Sequence, residues 1–202
     1  MNDRRTLAAA ALIALAAVAC GPAEAGGRRS PSVPAGVVDS ALPPDVALRR
    51  FREGLRAPDS LRLGAGSRDA LIQRFVDALE RRDTAALAQL LLDRGEFAYL
   101  YYPTVPEAKP PYDLSPGLLW FVIQQHSRKG LERLIGRRGG RPLGYLGYSC
   151  EPPPARHGEN IVWGRCVIRR VRAPGDTVAE RLFGPVLEHR GRFKFISYSN
   201  TL

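Results

Sequence analysis

The sequence predicts an α+β domain: N-terminal helices packed on a curved C-terminal antiparallel sheet of about four strands. Three observations lead there. Apolar residues recur at helical spacing from Ser67 to Arg138, and from Arg141 they give way to short β-rich runs separated by turn residues. The length of 202 residues, 45% hydrophobic and 25% charged, is enough for one domain with its own core. This balance excludes wholesale disorder and a collagen-like repeat.

Ahead of the domain, Arg4 and Arg5 form a positive region, Leu7 to Ala16 an apolar stretch, and Ala17-Val18-Ala19-Cys20 a small-residue cleavage zone. These are the three parts of a secretory signal peptide, assigned to residues 1–19. The apolar run Leu7 to Cys20 is too short for an ordinary transmembrane helix. Ala17-Val18-Ala19-Cys20 also resembles the lipobox of bacterial lipoproteins, which implies cleavage before Cys20 and a lipid on that cysteine. A plain cut after Ala19, releasing a free secreted protein, fits the same pattern. Cysteine parity favours the lipid: the others are Cys150 and Cys166, so lipidating Cys20 leaves an even pair in an oxidising compartment. The expectation is an exported protein of the bacterial cell envelope, held on a membrane through Cys20 and facing the periplasm.

Residues 20–44 are a flexible linker, rich in Gly, Pro, Ala and Ser without hydrophobic periodicity. The single domain spans 45–202, with its core from about 67. Val46, Leu48, Phe51 and Leu55 mark a leading helix within Asp45 to Arg56, opened by Pro43-Pro44. Ser67 caps a helix running to Arg82, with Leu71, Phe75, Val76 and Leu79 on one face. Asp83 caps a second, and Asp93-Arg94-Gly95-Glu96 has the D-x-x-E form of a capping box. The segment after it, Phe97 to Tyr102, reads equally as helix or strand. Pro103 to Pro111 breaks regular structure; Ser115-Pro116 then opens a helix over Gly117 to Gln125, continued from Ser127 to Arg138 and stopped at Gly139-Gly140. Four strands follow, at Pro142 to Ser149, Asn160 to Val171, Thr177 to Glu188 and Arg192 to Ser199. The turns at Ala173-Pro174-Gly175-Asp176 and His189-Arg190-Gly191 make the last three a meander, with a bulge or an edge at Gly184-Pro185.

The helix pair FVDALERRDTAALAQLL, an intervening helix, and a terminal sheet ending in RFKFISYSN resemble the nuclear transport factor 2-like superfamily of α+β domains. The resemblance covers roughly Ser67 to Leu202 and rests on element order. It implies a cone-like fold around a pocket, which in that superfamily includes isomerases and dehydratases. No catalytic position of those enzymes matches a residue here.

Candidate chemistry is sparse. Cys150 and Cys166 lie on or beside neighbouring strands, and a disulfide between them is worth about 3 kcal/mol by chain entropy. The competing reading is two buried thiols, because a simple hairpin through Glu151 to Glu159 sets Cys166 out of register. An extended Pro152-Pro153-Pro154 would close that gap. His126, His157 and His189 show no metal-ligand spacing, so neither a metal nor a cofactor is expected. His126, near Trp120, is the best candidate for a general base; its plainer reading is a helix C-terminal cap.

Tyr99, Tyr101, Tyr102, Tyr112, Trp120 and Phe121 form a dense group in a chain only 8% aromatic. With His126 and Trp163 they suit a pocket or a partner-binding surface. Alternatively, Tyr99, Trp120 and Phe121 fill the core beneath Trp163 while Tyr101, Tyr102 and Tyr112 cover its rim. Arg128, Lys129, Arg133, Arg137, Arg138 and Arg141 make the densest basic patch in a chain of net charge +10, either an anion site or a solvated helical face. Nucleic-acid binding conflicts with export and has no motif behind it.

Together these features point to an envelope lipoprotein whose domain binds a small hydrophobic ligand or an envelope protein without performing chemistry. The alternatives are an isomerase or dehydratase with a cone-shaped pocket, and a basic adaptor for anionic envelope polymers.

Overall fold

The computed structural model describes residues 42–202. The signal peptide, Cys20 and most of the linker lie outside the described residues. Five α-helices precede seven strands: α1 (Pro44–Arg52), α2 (Arg68–Glu80), α3 (Thr84–Gln89), α4 (Arg94–Glu96), α5 (Pro116–Arg138), then β1 (Tyr145–Ser149), β2 (Ala155–His157), β3 (Asn160–Trp163), β4 (Val167–Ala173), β5 (Asp176–Glu180), β6 (Val186–His189) and β7 (Arg192–Phe195). The helices-then-strands order and the α+β class are as the sequence predicts.

Four of the helices start where a side-chain oxygen can take an otherwise orphaned N–H. The Ser67 hydroxyl accepts from the Ala70 N–H at 3.0 Å, and the Asp83 carboxylate from Ala86 at 2.8 Å. Asp93 and Glu96 complete a reciprocal capping box, each accepting the other's N–H at 2.8 Å. Ser115 accepts from Leu118 at 3.3 Å, ahead of Pro116 in the first turn of α5. The ambiguous segment is helical, a π turn over Phe97–Tyr101 followed by 3-10 turns at Tyr102–Thr104 and Pro106–Ala108. Helix α5 is one uninterrupted element of 23 residues, ended at Gly139. His126 therefore sits in mid-helix, exposed, and cannot cap a C-terminus. No helix among the described residues is long and apolar enough to cross a membrane.

The strands depart from the expected single sheet. They form two antiparallel sheets, one of three strands in the order β1-β4-β5 and one of four in the order β2-β3-β6-β7. Two expected strands are each divided between the sheets. Asn160 to Val171 breaks at Gly164-Arg165, where Arg165 takes a left-handed φ of 44° that ends the extended run. Thr177 to Glu188 breaks before Gly184-Pro185 instead of bulging there. A Cβ on Gly184 would lie 2.5 Å from the Ser197 hydroxyl oxygen and 2.8 Å from that of Ser199, so only glycine lets the chain pass. The turns at 173–176 and 189–192 close hairpins as expected, but β5 and β6 do not pair, so there is no three-stranded meander.

The principal core joins Phe75 and Leu79 of α2 to Leu134 of α5, Ile168 of β4, and Phe183, Phe195 and Tyr198, all fully buried. Phe75 meets Phe183 and Phe195 edge-on, with ring centroids 5.2 and 5.5 Å apart. After β7 the chain crosses α5 at Gly130, whose missing side chain makes room for the Tyr198 carbonyl. Ser127 accepts the Tyr198 N–H there at 3.1 Å, and Asn200 donates to the Gly130 carbonyl at 2.8 Å. A second cluster seats α1: Phe51 packs against Phe97, Tyr102 and Leu119, and Arg52 donates to the Ala98 carbonyl at 2.9 Å.

Candidate functional site

The place where a cone would need open space is packed. Phe75, Leu79, Phe183 and Phe195 are each 0% exposed, and Phe193 is half-buried against them. The ionisable groups buried elsewhere are committed to partners. Glu96 accepts the Arg62 N–H at 2.5 Å, the Asp93 N–H at 2.8 Å, and the Lys194 ammonium at 3.0 and 2.9 Å to its two oxygens. Burial, outweighing these bonds, pushes the Glu96 carboxyl above its ordinary range. His189 meets the Asn160 side-chain carbonyl through Nδ1 at 2.7 Å. Asn160 gives its own N–H groups to the Leu100 carbonyl and the Thr104 hydroxyl, so its oxygen is the acceptor and Nδ1 carries the proton. Burial lowers the His189 pKa, against a smaller pull from Glu159. No buried side-chain nitrogen or oxygen among the described residues lacks a partner.

The predicted aromatic group is largely core. Tyr102 is buried, its hydroxyl donating to the Leu114 carbonyl at 2.8 Å, and Trp120 lies 5.0 Å from the Phe97 ring. Tyr101 is half-buried, with its phenol pushed up by burial; Tyr99 is half-buried under the Arg52 guanidinium at 4.4 Å. Tyr112 and Phe121 stand exposed at 64% and 58%. Trp163 is not part of this assembly: it packs on the principal core beneath the Arg68 guanidinium at 3.7 Å. The packing partner the sequence did not identify is Phe51, from the leading helix.

Beside this cluster, α1 and the start of α5 enclose a largely apolar groove of about 500 Å³. Leu42, Pro44, Ala47 and Phe51 form one wall, and Tyr102, Pro116 and Gly117 the other, with Arg50 and Asp113 as its charged members. Of the aromatic residues singled out from the sequence, only Tyr102 lines it. Phe51 was legible as part of an apolar helical face, but nothing in the spacing joined it to Tyr102 or Pro116.

The residues of the basic patch bond to different partners. Arg128 donates to Gln125, Arg133 to the carbonyls of Lys129 and Leu202, and Arg141 to the Arg137 carbonyl. Arg138 leaves the patch for Glu180, which it binds at 2.7 and 3.2 Å, and Arg170 binds the same carboxylate at 2.8 and 3.0 Å. The bonds from Arg170, then those from Arg138, hold the Glu180 carboxyl down to about 2.

Cys150 and Cys166 form a disulfide with Cα atoms 4.0 Å apart. Strand β1 pairs with β4, not with the hairpin that follows it, and the pair Ser149↔Val167 brings the two cysteines opposite each other one step further on. The out-of-register argument fails because β2 and β3 are an excursion between the two paired strands. Among the described residues no cluster of three or more His, Cys, Asp or Glu side chains could hold a metal ion. Neither a family model nor a curated protein nor a solved structure matches the chain.

Proposed function

We propose that this chain is an exported, lipid-anchored binding domain of the bacterial envelope that performs no chemistry, and that the groove between α1 and α5 takes a small hydrophobic ligand. The observation that carries the reading is a packed interior beside an open apolar groove of about 500 Å³, within the usual range for small-molecule sites. An isomerase or dehydratase would instead need an ionisable side chain facing open space, whereas buried Glu96 and His189 face their partners. The signal layout supports export, and the Cys150–Cys166 bond leaves Cys20 as the odd cysteine available for lipid.

Two measurements test this. Native mass spectrometry of the full chain, produced with export, is expected to show a retained apolar molecule that is lost in Ala47→Trp, which fills the groove from α1. An empty wild-type protein that also fails to bind a polarity-sensitive dye refutes the ligand reading. Metabolic labelling with a fatty acid should mark the wild type and not Cys20→Ser; an unlabelled wild type refutes the anchor.

A further inference from the structure

A second cavity, of about 620 Å³, lies between the 60–64 turn, the C-terminal half of α2, α3 and the start of β7. Its charged lining is Arg62, Arg74, Arg81 and Arg192 against the single carboxylate of Asp77. Guanidinium groups stay protonated at any working pH, so the cavity carries a net charge of about +3. Six arginines outside the cavity hold a carboxylate: Arg138 and Arg170 share Glu180, while Arg49, Arg165, Arg172 and Arg190 each have their own. Among the described residues none of the four cavity arginines forms a salt bridge.

The wall of this cavity is built, not merely solvated. The turn at 60–64 is tied down by the Arg62 N–H on buried Glu96 and by the Ala65↔Phe193 bridge behind it. Arg74 donates to the Leu63 carbonyl at 3.2 Å, which fixes one guanidinium in the lining. Leu63 itself stands 70% exposed in the left-handed region at φ 56°, a conformation a bulky side chain does not choose for itself. Strain at an exposed turn with no core to fill is characteristic of a binding site. Gly64 brings the turn close to β7, since a Cβ there would lie 3.2 Å from that of Arg192.

We infer that this cavity binds a ligand carrying two or three negative charges as phosphate groups, of the diphosphate or phosphomonoester class. Guanidinium forks on several sides, with one carboxylate to set orientation, match that chemistry. The inference is independent of the apolar groove and of the lipid, and goes beyond both. The arginines that share this cavity come from three separate parts of the chain.

Isothermal titration of the full chain with inorganic pyrophosphate tests it, alongside sedimentation with phosphatidate and phosphatidylcholine vesicles. One saturable site is expected, weakened about tenfold or more in Arg62→Gln/Arg192→Gln and unchanged in Arg128→Gln/Lys129→Gln. Asp77→Asn, which removes the only opposing charge, should tighten binding about threefold; a variant that gains affinity cannot owe its effect to misfolding. Binding of free pyrophosphate identifies a soluble ligand. Binding confined to phosphatidate vesicles with the same arginine dependence identifies a lipid headgroup. No binding to either, or binding indifferent to Arg62 and Arg192, overturns the inference.

Discussion

Replacing Lys194 with methionine isolates the most consequential ion pair in the domain. The Lys194 side chain is 5% exposed and that of Glu96 0%, so neither charge has water to fall back on. In Lys194→Met the carboxylate keeps its two backbone N–H donors from Arg62 and Asp93 but loses its counter-charge. Orphaning one member of a buried pair costs about 3–5 kcal/mol, a large share of the ~5–15 kcal/mol that holds a domain together. For a chain of this size that lowers the melting temperature by roughly 10 °C. Urea unfolding followed by the fluorescence of Trp120 and Trp163 reads the loss directly. The pH dependence fixes its cause. Without Lys194, the folded Glu96 pKa rises further above its unfolded value, so the variant's penalty grows with pH up to the raised pKa and fades as pH falls towards the unfolded carboxyl pKa. Lys194→Met/Glu96→Gln should recover about half the loss, because the charge is gone while one of the two backbone N–H groups faces an amide nitrogen. A single variant within about 1 kcal/mol of wild type, or one whose deficit does not shrink in mild acid, would refute the reasoning.

Three further outcomes follow from the structure. Replacing both Cys150 and Cys166 with serine opens a link spanning 16 residues and should cost about 3 kcal/mol, read as a lowered urea midpoint that reductant no longer affects. Glu180→Gln should cost about 2 kcal/mol near pH 7. Because the native carboxyl titrates at about 2, the wild type's advantage is complete above the unfolded pKa near 4.5 and disappears as pH falls through 2, which acid titration of the two proteins checks. Gly130→Ala drives a methyl into the Tyr198 carbonyl and should destabilise by about 2 kcal/mol or more; Gly136→Ala on the same helix meets nothing and should stabilise by about 0.5–1 kcal/mol, both measured by thermal melting.

What could be read in advance was local. Ser67, Asp83, Asp93 and Ser115 cap their helices because the donor lies three residues away, within reach of any reading of the chain. The strand boundaries were not legible. Asn160 to Val171 has continuous β propensity, and its division follows from each half having a different partner: β3 pairs with β6, β4 with β1 and β5. Propensity carries no information about partners. The same limit applied to charge. Glu96 was visible as a capping residue, but its ion partner lies 98 residues away. Density along the sequence pointed to the arginines of α5, whereas the arginine-lined cavity draws on positions 62, 74, 81 and 192. In the aromatic group, composition identified the residues but not the packing, because Phe51 completes the cluster from a helix some 45 residues upstream of the π turn.

The chain leaves one sheet for the other repeatedly: β1 belongs to the first, β2 and β3 to the second, β4 and β5 to the first again, β6 and β7 to the second. Neither sheet is contiguous, so no single proteolytic cut or truncation can release one and leave the other whole. Any fragment retaining a complete sheet carries strands stranded from its neighbour, with their edges bare. Both sheets are complete only after all three crossings are made, so the pair is expected to unfold together, in a single transition. An engineer seeking to shorten this domain has the leading helix to work with, and nothing beyond β1.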